Sequence, residues 1–150
     1  MIEVRHISKS FNGVKVLHDI SATFDAGKTN LIIGQSGSGK TVLMKSIIGI
    51  HRVDEGDILY GNSNFTSMNS KEVTNLRKEI GMLFQGSALF DSMTVEENVR
   101  FPLEMFSNKP KGEWKERVDF CLNRVGLSHA AKLYPAEISG GMQKRAAIAR

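Results

Sequence analysis

The chain contains one glycine-rich octapeptide, Gly34-Gln35-Ser36-Gly37-Ser38-Gly39-Lys40-Thr41, which matches the pattern G-x-x-x-x-G-K-[ST] at every fixed position. Glycines let a backbone curl so that successive N–H groups point inward at an anion, and a following helix directs its positive end at the same anion. In this pattern Lys40 supplies a mobile charge for the β- and γ-phosphates, and the Thr41 hydroxyl is a ligand for Mg²⁺. The octapeptide therefore predicts a binding site for a nucleoside triphosphate and Mg²⁺.

The segments on either side of the octapeptide have the order that such a loop requires. Residues 29–33 form a short, almost wholly apolar run, which predicts a strand covered on both faces. Beyond the loop, mostly apolar residues recur at helical spacing from Val42 to Ile50. A dinucleotide-binding fingerprint is excluded, because the pattern that begins at Gly37 ends on Val42, where that fingerprint needs a third glycine.

The remaining segments predict strands early in the chain and helices late in it. Strands are expected at residues 2–7, 14–24, 56–61 and 80–84, the first two joined by the turn Phe11-Asn12-Gly13. Helices are expected at residues 71–79, 94–106, 112–125 and 139–150, and Thr94-x-x-Glu97 is a capping box that begins the second of them. We therefore expect an α/β nucleotide-binding core with a β subdomain over residues 1–86 and a helical lobe over residues 87–150.

Composition places the chain among globular proteins and limits its partners. Its 150 residues are 41% hydrophobic and 24% charged, with a net charge of +4. The basic residues form no continuous stretch, which disfavours a nucleic-acid partner. No apolar run approaches the roughly 20 residues that span a bilayer. Cys121 lies in an apolar run and is expected to be a reduced core thiol in a cytosolic protein.

A second motif lies near residue 150 and narrows the class: Ile138-Ser139-Gly140-Gly141-Met142-Gln143-Lys144-Arg145-Ala146-Ala147-Ile148-Ala149-Arg150. It resembles the signature segment of ABC ATPases, which is usually Leu-Ser-Gly-Gly-Gln followed by a basic helix. The order of the motifs also fits that family: first the octapeptide at residues 34–41, called the phosphate loop below, then Gln85, then the signature segment. The resemblance implies a P-loop NTPase (RecA-like) core, an N-terminal antiparallel β subdomain and a helical lobe, with the C-terminal part of the domain absent. It also implies an ATP-binding and ATP-hydrolysing subunit of a membrane transporter.

The resemblance assigns roles to residues outside the loop. Ser139, Gly140 and Gly141 begin a helix and offer a hydroxyl and free N–H groups at its positive end. In the family two subunits pack head to tail, and this segment completes the γ-phosphate site of the partner subunit. Gln85 resembles the glutamine that senses Mg²⁺ and the γ-phosphate, so that Lys40 and Gln85 are the catalytic candidates in this chain.

The adenine side of the site is also predicted by resemblance. Phe11 stands 23 positions before Gly34, where the family has an aromatic residue that stacks on adenine. Val16 is expected to flank the same base, and Val42 to extend the contacts of the phosphate loop. The alternative for Phe11 is a hairpin aromatic residue packed in the core.

Several details resemble one branch of the family, the ATPase subunits of Mla-type lipid transporters. Met142 replaces the usual glutamine of the signature, and the segment 83–90 shows the same likeness. The implied substrate is a lipid or another hydrophobic molecule. The implied location is the cytoplasm, at the inner face of the cell membrane. There a short helix of the permease would enter a groove near Leu89, Phe90 and Met93.

Part of the family's catalytic machinery has no counterpart in the sequence. No apolar strand ends in Asp-Glu, where the family has a second Mg²⁺ ligand and the glutamate that polarises the attacking water. The chain is therefore expected to bind ATP without appreciable turnover, and its sheet to have an exposed edge. Two alternatives remain open: a soluble ABC ATPase without a permease, and a nucleotide-binding module that assembles partners without hydrolysis.

Overall fold

A computed structural model describes residues 1–108 and 110–150, in two units, Met1–Ile80 and Gly81–Arg150. The first unit contains a four-stranded antiparallel sheet in the order β2-β1-β3-β4. Its strands are β1 (Ile2–Phe11), β2 (Val14–Phe24), β3 (Glu55–Tyr60) and β4 (Ser63–Asn64). The predicted hairpin and the strand near residue 58 are confirmed.

The β1–β2 hairpin closes tightly because of its two turn residues. Phe11 pairs with Val14 across the turn, and Ile2 pairs with Phe24 at the other end of the ladder. Asn12 and Gly13 both have positive φ, 48° and 79°. Asn-Gly favours this geometry, which matches the twist of the two strands. The turn therefore fixes the position of Phe11 at the end of β1.

Two helices cover the sheet of the first unit. Helix α1 (Lys40–Ile47) begins directly after the phosphate loop, and α2 (Ser70–Arg77) begins with a capping box formed by Asn69 and Glu72. The core beneath them consists of Val4, Ile7, Leu17, Leu43, Ile47, Ile58 and Phe65. Because α1 contributes two of these side chains, the burial of its apolar face holds the end of the phosphate loop against the sheet.

Two predicted strands are not formed. Segments 29–33 and 80–84 belong to no sheet, and Leu31, Ile33 and Leu83 are 82%, 81% and 57% exposed. A strand is stable when neighbouring strands accept and donate its backbone hydrogen bonds. Within residues 1–108 and 110–150, neither segment pairs with a strand of the sheet. The apolar pattern was therefore not sufficient for strand formation, and Gln85 does not close a strand.

The second unit is helical. It contains α3 (Val95–Phe106), α4 (Lys111–Arg124) and α5 (Gly140–Ala149), with short 3-10 turns at Ser128–Ala130 and Pro135–Glu137. Its core consists of Val95, Val99, Val118, Leu122, Leu127, Ala130, Ile138 and Ala146, with Cys121 partly buried against it. The three predicted helices are confirmed. Among the helices of the described residues, none combines the length and the apolar character that a membrane span needs.

Candidate nucleotide-binding site

The phosphate loop is an exposed connection between segment 29–33 and α1. Gly37 and Gly39 have φ values of 80° and 86°, in the left-handed region that other residues rarely adopt. A Cβ atom at position 39 would lie 3.2 Å from the carbonyl oxygen of Val16 on β2. Both backbone geometry and close approach therefore require glycine at the start of α1.

Lys40 lies across the loop that precedes it. Its Nζ donates hydrogen bonds to the carbonyl oxygens of Gly34 and Gln35, at 2.8 and 2.6 Å. The Ser38 amide donates to the Gln35 carbonyl at 3.2 Å and forms a turn within the loop. The lysine charge is therefore held beside the backbone that would surround a phosphate.

The amino-terminal end of α1 has the features of an anion-binding site. Gly39 provides no side-chain cap, and the first turn of the helix contains no acidic residue. The first hydrogen bond of the helix runs from the Leu43 amide to the Gly39 carbonyl, at 2.8 Å. The preceding helical amides, from Lys40 to Val42, have no partner within the helix, which is the general condition of a helix start. These N–H groups and the helix dipole can stabilise a negative charge at this end.

The residues at the start of α1 fit a magnesium ion that is held mainly by phosphate oxygens of a bound nucleotide and by water. Thr41 is exposed on the first turn, beside Lys40. In the described part of the chain, no group of three or more His, Cys, Asp or Glu side chains forms a metal centre. Mg²⁺ commonly keeps several waters and binds one or two protein oxygens together with substrate phosphates. A single hydroxyl at Thr41 is consistent with that donor set.

The two residues predicted for the adenine side lie on the β1–β2 hairpin. Val16 is partly buried and its carbonyl faces Gly39, so that the structure brings it to the end of the phosphate loop. Phe11 is 37% exposed at the end of β1 and is not part of the buried core. Its ring packs edge-on against His51, with centroids 5.1 Å apart. The interpretation as a core aromatic is therefore not supported, and stacking on adenine stays a prediction.

Gln85 lies in a turn of the second unit. The turn is closed by a 3.1 Å hydrogen bond from the Ser87 amide to the Phe84 carbonyl, and Gln85 itself is exposed. Ser87 and Ala88 both have positive φ, 61° and 51°. Such conformations cost free energy in residues other than glycine and are often found at functional sites. The role of Gln85 at Mg²⁺ and the γ-phosphate stays a prediction.

A buried asparagine holds the loop that follows Gln85, and sequence reasoning missed it. Asn98 on α3 is 0% exposed. Its Oδ1 accepts from the Phe90 amide at 2.8 Å, and its Nδ2 donates to the carbonyls of Phe90, Met93 and Thr94 at 3.0 to 3.1 Å. The sequence contained one signal for this role. Asn98 is a polar residue on the apolar face of a predicted helix, three positions after Val95.

The signature segment has the predicted helix start. Ser139 is the N-cap of α5, and its hydroxyl oxygen accepts from the Met142 amide at 3.3 Å. A Cβ atom at Gly140 would meet no heavy atom within 4 Å, so that packing among the described residues does not require glycine there. Met142 is partly buried against the helical core. Ser139, Gly140 and Gly141 are exposed, whereas the Met142 side chain faces inward.

The carboxylates at the start of α3 have structural roles. Thr94 and Glu97 form the predicted capping box, and hydrogen bonds from Thr94 lower the pKa of Glu97 below its ordinary value. Glu96 accepts from Lys132 at 2.8 Å. The predicted capping box of Thr94 and Glu97 is confirmed.

These features define a class of protein: a phosphate-loop nucleotide-binding protein with a separate helical signature unit. A family model described as ABC transporter matches residues 17–150. The chain belongs to the ABC transporter family, as the signature segment predicted.

Relatives and solved structures agree with this assignment. The chain is 40% identical over 149 residues to the probable ribonucleotide transport ATP-binding protein mkl of Mycobacterium leprae, covering 99% of this chain and 43% of the relative. It is also 40% identical over 150 residues to the methionine import ATP-binding protein MetN of Clostridium tetani, covering 100% of this chain and 47% of the relative. The chain thus spans less than half the length of these relatives.

A solved structure has the same fold. The ATP-binding cassette MJ0796, in a dimeric post-hydrolysis state bound to ADP and Pi, superposes with a TM-score of 0.88 at 28% identity. The alignment covers 99% of this chain and 68% of that chain. The predicted P-loop NTPase fold with an antiparallel β subdomain and a helical lobe is confirmed at this level. The names of the two relatives do not mention lipids, so that the Mla-type branch stays a prediction.

Proposed function

We propose that this chain is the ATP-binding part of an ABC transporter ATPase. The observation that carries the proposal is the position of the Lys40 ammonium across the phosphate loop, directly before the uncapped start of α1. A triphosphate needs many donors and a mobile positive charge. Both lie in one continuous segment, residues 34–42.

Each site residue has a role in this proposal. Lys40 binds the β- and γ-phosphates, Thr41 supplies a hydroxyl to Mg²⁺, and Gln85 senses the metal and the γ-phosphate. Phe11 stacks on adenine, and Val16 flanks it. When bound there, Mg²⁺ would supply positive charge to the phosphate oxygens. Phosphoryl transfer depends mainly on positioning and charge stabilisation, so that these groups would contribute to ATP hydrolysis.

The signature segment is the proposed contact with a second ATPase subunit. Ser139, Gly140 and Gly141 present a hydroxyl and backbone amides at the start of α5. In a head-to-tail dimer these groups would complete the γ-phosphate site of the partner subunit. Around Gly140 the described residues leave space for an approaching group, and a backbone without a side chain allows a ligand to come close.

The loop held by Asn98 is the proposed contact with a permease. Phe90 is 41% exposed and packs against Phe101 with ring centroids 4.8 Å apart, while Leu89 is partly buried in the helical core. With Met93 these side chains offer an apolar surface on a well-fixed backbone. The protein would then work in the cytoplasm, at the inner face of the membrane.

We propose a lipid or another hydrophobic molecule as the transported substrate. The support is the sequence likeness at Met142 and over residues 83–90. The relatives' names give two other substrate classes, ribonucleotides and methionine. Transport assays with the intact transporter distinguish these three, because each substrate requires a different chemistry in the permease.

Calorimetric titration with ATP tests the proposed nucleotide site directly. In the presence of Mg²⁺ the parent chain should bind ATP, and Lys40→Ala should lower the affinity about tenfold or more, since a hydrogen bond to a charged group contributes roughly 1.5–3 kcal/mol. Lys45→Ala is the matched control, because it removes the same charge from the last turn of the same helix. It should change the affinity less than about twofold.

Circular dichroism accompanies the titration and decides how a negative result is interpreted. A parent chain that is folded by this measure and binds no ATP would contradict the proposal. An equal loss in Lys40→Ala and Lys45→Ala would also contradict it, because the effect would then follow net charge and not the loop.

A further inference from the structure

The side chain of Phe11 is supported by two neighbours. The His51 ring stands at 76° to the Phe11 ring with centroids 5.1 Å apart, and Lys9 Nζ lies 5.4 Å from the Phe11 centroid. Phe11 is nevertheless 37% exposed. An exposed aromatic side chain at a strand end keeps a fixed orientation when other groups pack against it. His51 is the aromatic group that does so here.

His51 is itself fixed from two sides. Its amide donates to the Lys45 carbonyl at 3.2 Å, which ties it to the end of α1. Three residues later, the Asp54 amide donates to the Ser8 carbonyl at 2.9 Å. The loop that carries His51 is therefore attached both to the helix that starts at the phosphate loop and to the strand that ends at Phe11.

The carboxylate of Asp54 strengthens the attachment to β1. It accepts from the Ser10 amide at 2.6 Å and from Lys9 Nζ at 2.5 Å. Lys9, which also lies over the Phe11 ring, is thereby held in place. The phosphate loop is continuous with α1, and the Phe11 ring packs against the loop 51–54, which is attached to α1. Both therefore depend on the same two segments.

We infer that His51 is a positioning residue for the nucleotide base: it holds the Phe11 ring in the orientation that stacks on adenine. The inference rests on the proposed function of the site. His51 acts through Phe11 and not through the phosphates, so that its contribution appears only with ligands that carry a base. An edge-to-face aromatic pair accounts for about a three- to tenfold effect on affinity.

The test compares two ligands, MgATP and magnesium tripolyphosphate, by calorimetric titration of the 150-residue chain. His51→Ala should weaken ATP binding about three- to tenfold and leave tripolyphosphate binding unchanged. His51→Phe keeps an aromatic ring at the position and should retain most of the affinity for ATP. His18→Ala is the control, because it removes an exposed histidine from β2 of the same unit.

Phe11→Ala and the double variant with His51→Ala complete the experiment. If His51 acts through Phe11, the double variant should bind ATP no more weakly than Phe11→Ala alone. Unchanged ATP binding in His51→Ala, or an equal loss for both ligands, overturns the inference while the nucleotide site stands. Unchanged ATP binding in Phe11→Ala overturns it as well. A folded parent chain that binds neither ligand overturns the proposed function instead.

Discussion

At the scale of single residues, the carboxylate of Asp54 makes stability depend on pH. Hydrogen bonds from Lys9 and from the Ser10 amide hold the pKa of Asp54 below its ordinary value. The stabilising contribution of the carboxylate is therefore complete above that ordinary value of about 4 and is lost as the pH falls through the lowered folded pKa. We expect Asp54→Asn to unfold at a lower urea concentration than the parent at pH 7, and the difference to shrink at pH 3.

The control for Asp54 is an exposed aspartate in the other unit. Asp119→Asn on α4 makes the same chemical change away from this network. Its urea midpoint should differ little from that of the parent at either pH. A difference between Asp54→Asn and the parent that is as large at pH 3 as at pH 7 would contradict the prediction, because the ionised carboxylate would then not be its source.

At the scale of elements, the loop that precedes α3 depends on one buried side chain. Asn98→Ala would leave the Phe90 amide and the Met93 carbonyl without the side chain that pairs with them. The carbonyls of Phe90 and Thr94 would lose one of two hydrogen bonds and keep those from the backbone amides of Met93 and of residue 98. Unsatisfied buried polar groups cost about 1–3 kcal/mol each, and part of that cost is recovered by water. We expect Asn98→Ala to lower the free energy of unfolding, measured in urea, by about 2–4 kcal/mol.

Two further variants make the Asn98 result specific. Asn98→Asp keeps the shape and the acceptor for the Phe90 amide but faces three carbonyl oxygens without a donor, and it should destabilise at least as much at pH 7. Asn123→Ala removes an exposed asparagine from α4 and should cost less than about 0.5 kcal/mol. If Asn98→Ala resembled Asn123→Ala, the hydrogen bonds of Asn98 would not be what stabilises the loop.

The same elements show how far the sequence predicts structure. The Thr94–Glu97 capping box and the turn at Asn12 and Gly13 were predicted because each depends on a few consecutive residues. The role of Asn98 was not predicted, because its partners lie in the loop before α3, and the path of that loop is not evident from the sequence. Segment 29–33 has an apolar pattern typical of a buried strand, yet a strand also needs neighbours for its hydrogen bonds, and composition does not supply them.

At the scale of the whole molecule, the start of α1 directly after the glycine-rich octapeptide was a feature that the sequence predicted well. Its glycines, Lys40 and the start of α1 occupy one continuous stretch, so that spacing alone determines much of the local geometry. The positions of Phe11 and Gln85 depended on family resemblance, because each lies far along the chain from the loop. The neighbours of Phe11, His51 above all, became visible only when the sheet and α1 were in place.

The segment 29–33 also predicts how the whole molecule behaves in solution. Leu31 and Ile33 are more than four-fifths exposed, on backbone that belongs to no sheet. Exposed apolar segments with unpaired backbone groups promote association between copies. We expect the sedimentation coefficient of the chain to rise with concentration, and the double variant Leu31→Lys, Ile33→Lys to reduce that rise.

Met105→Lys is the control, because Met105 is 58% exposed on α3, where the backbone is hydrogen-bonded within the helix. A parent chain that stays monomeric, or an equal effect of Met105→Lys, would show that segment 29–33 does not mediate association.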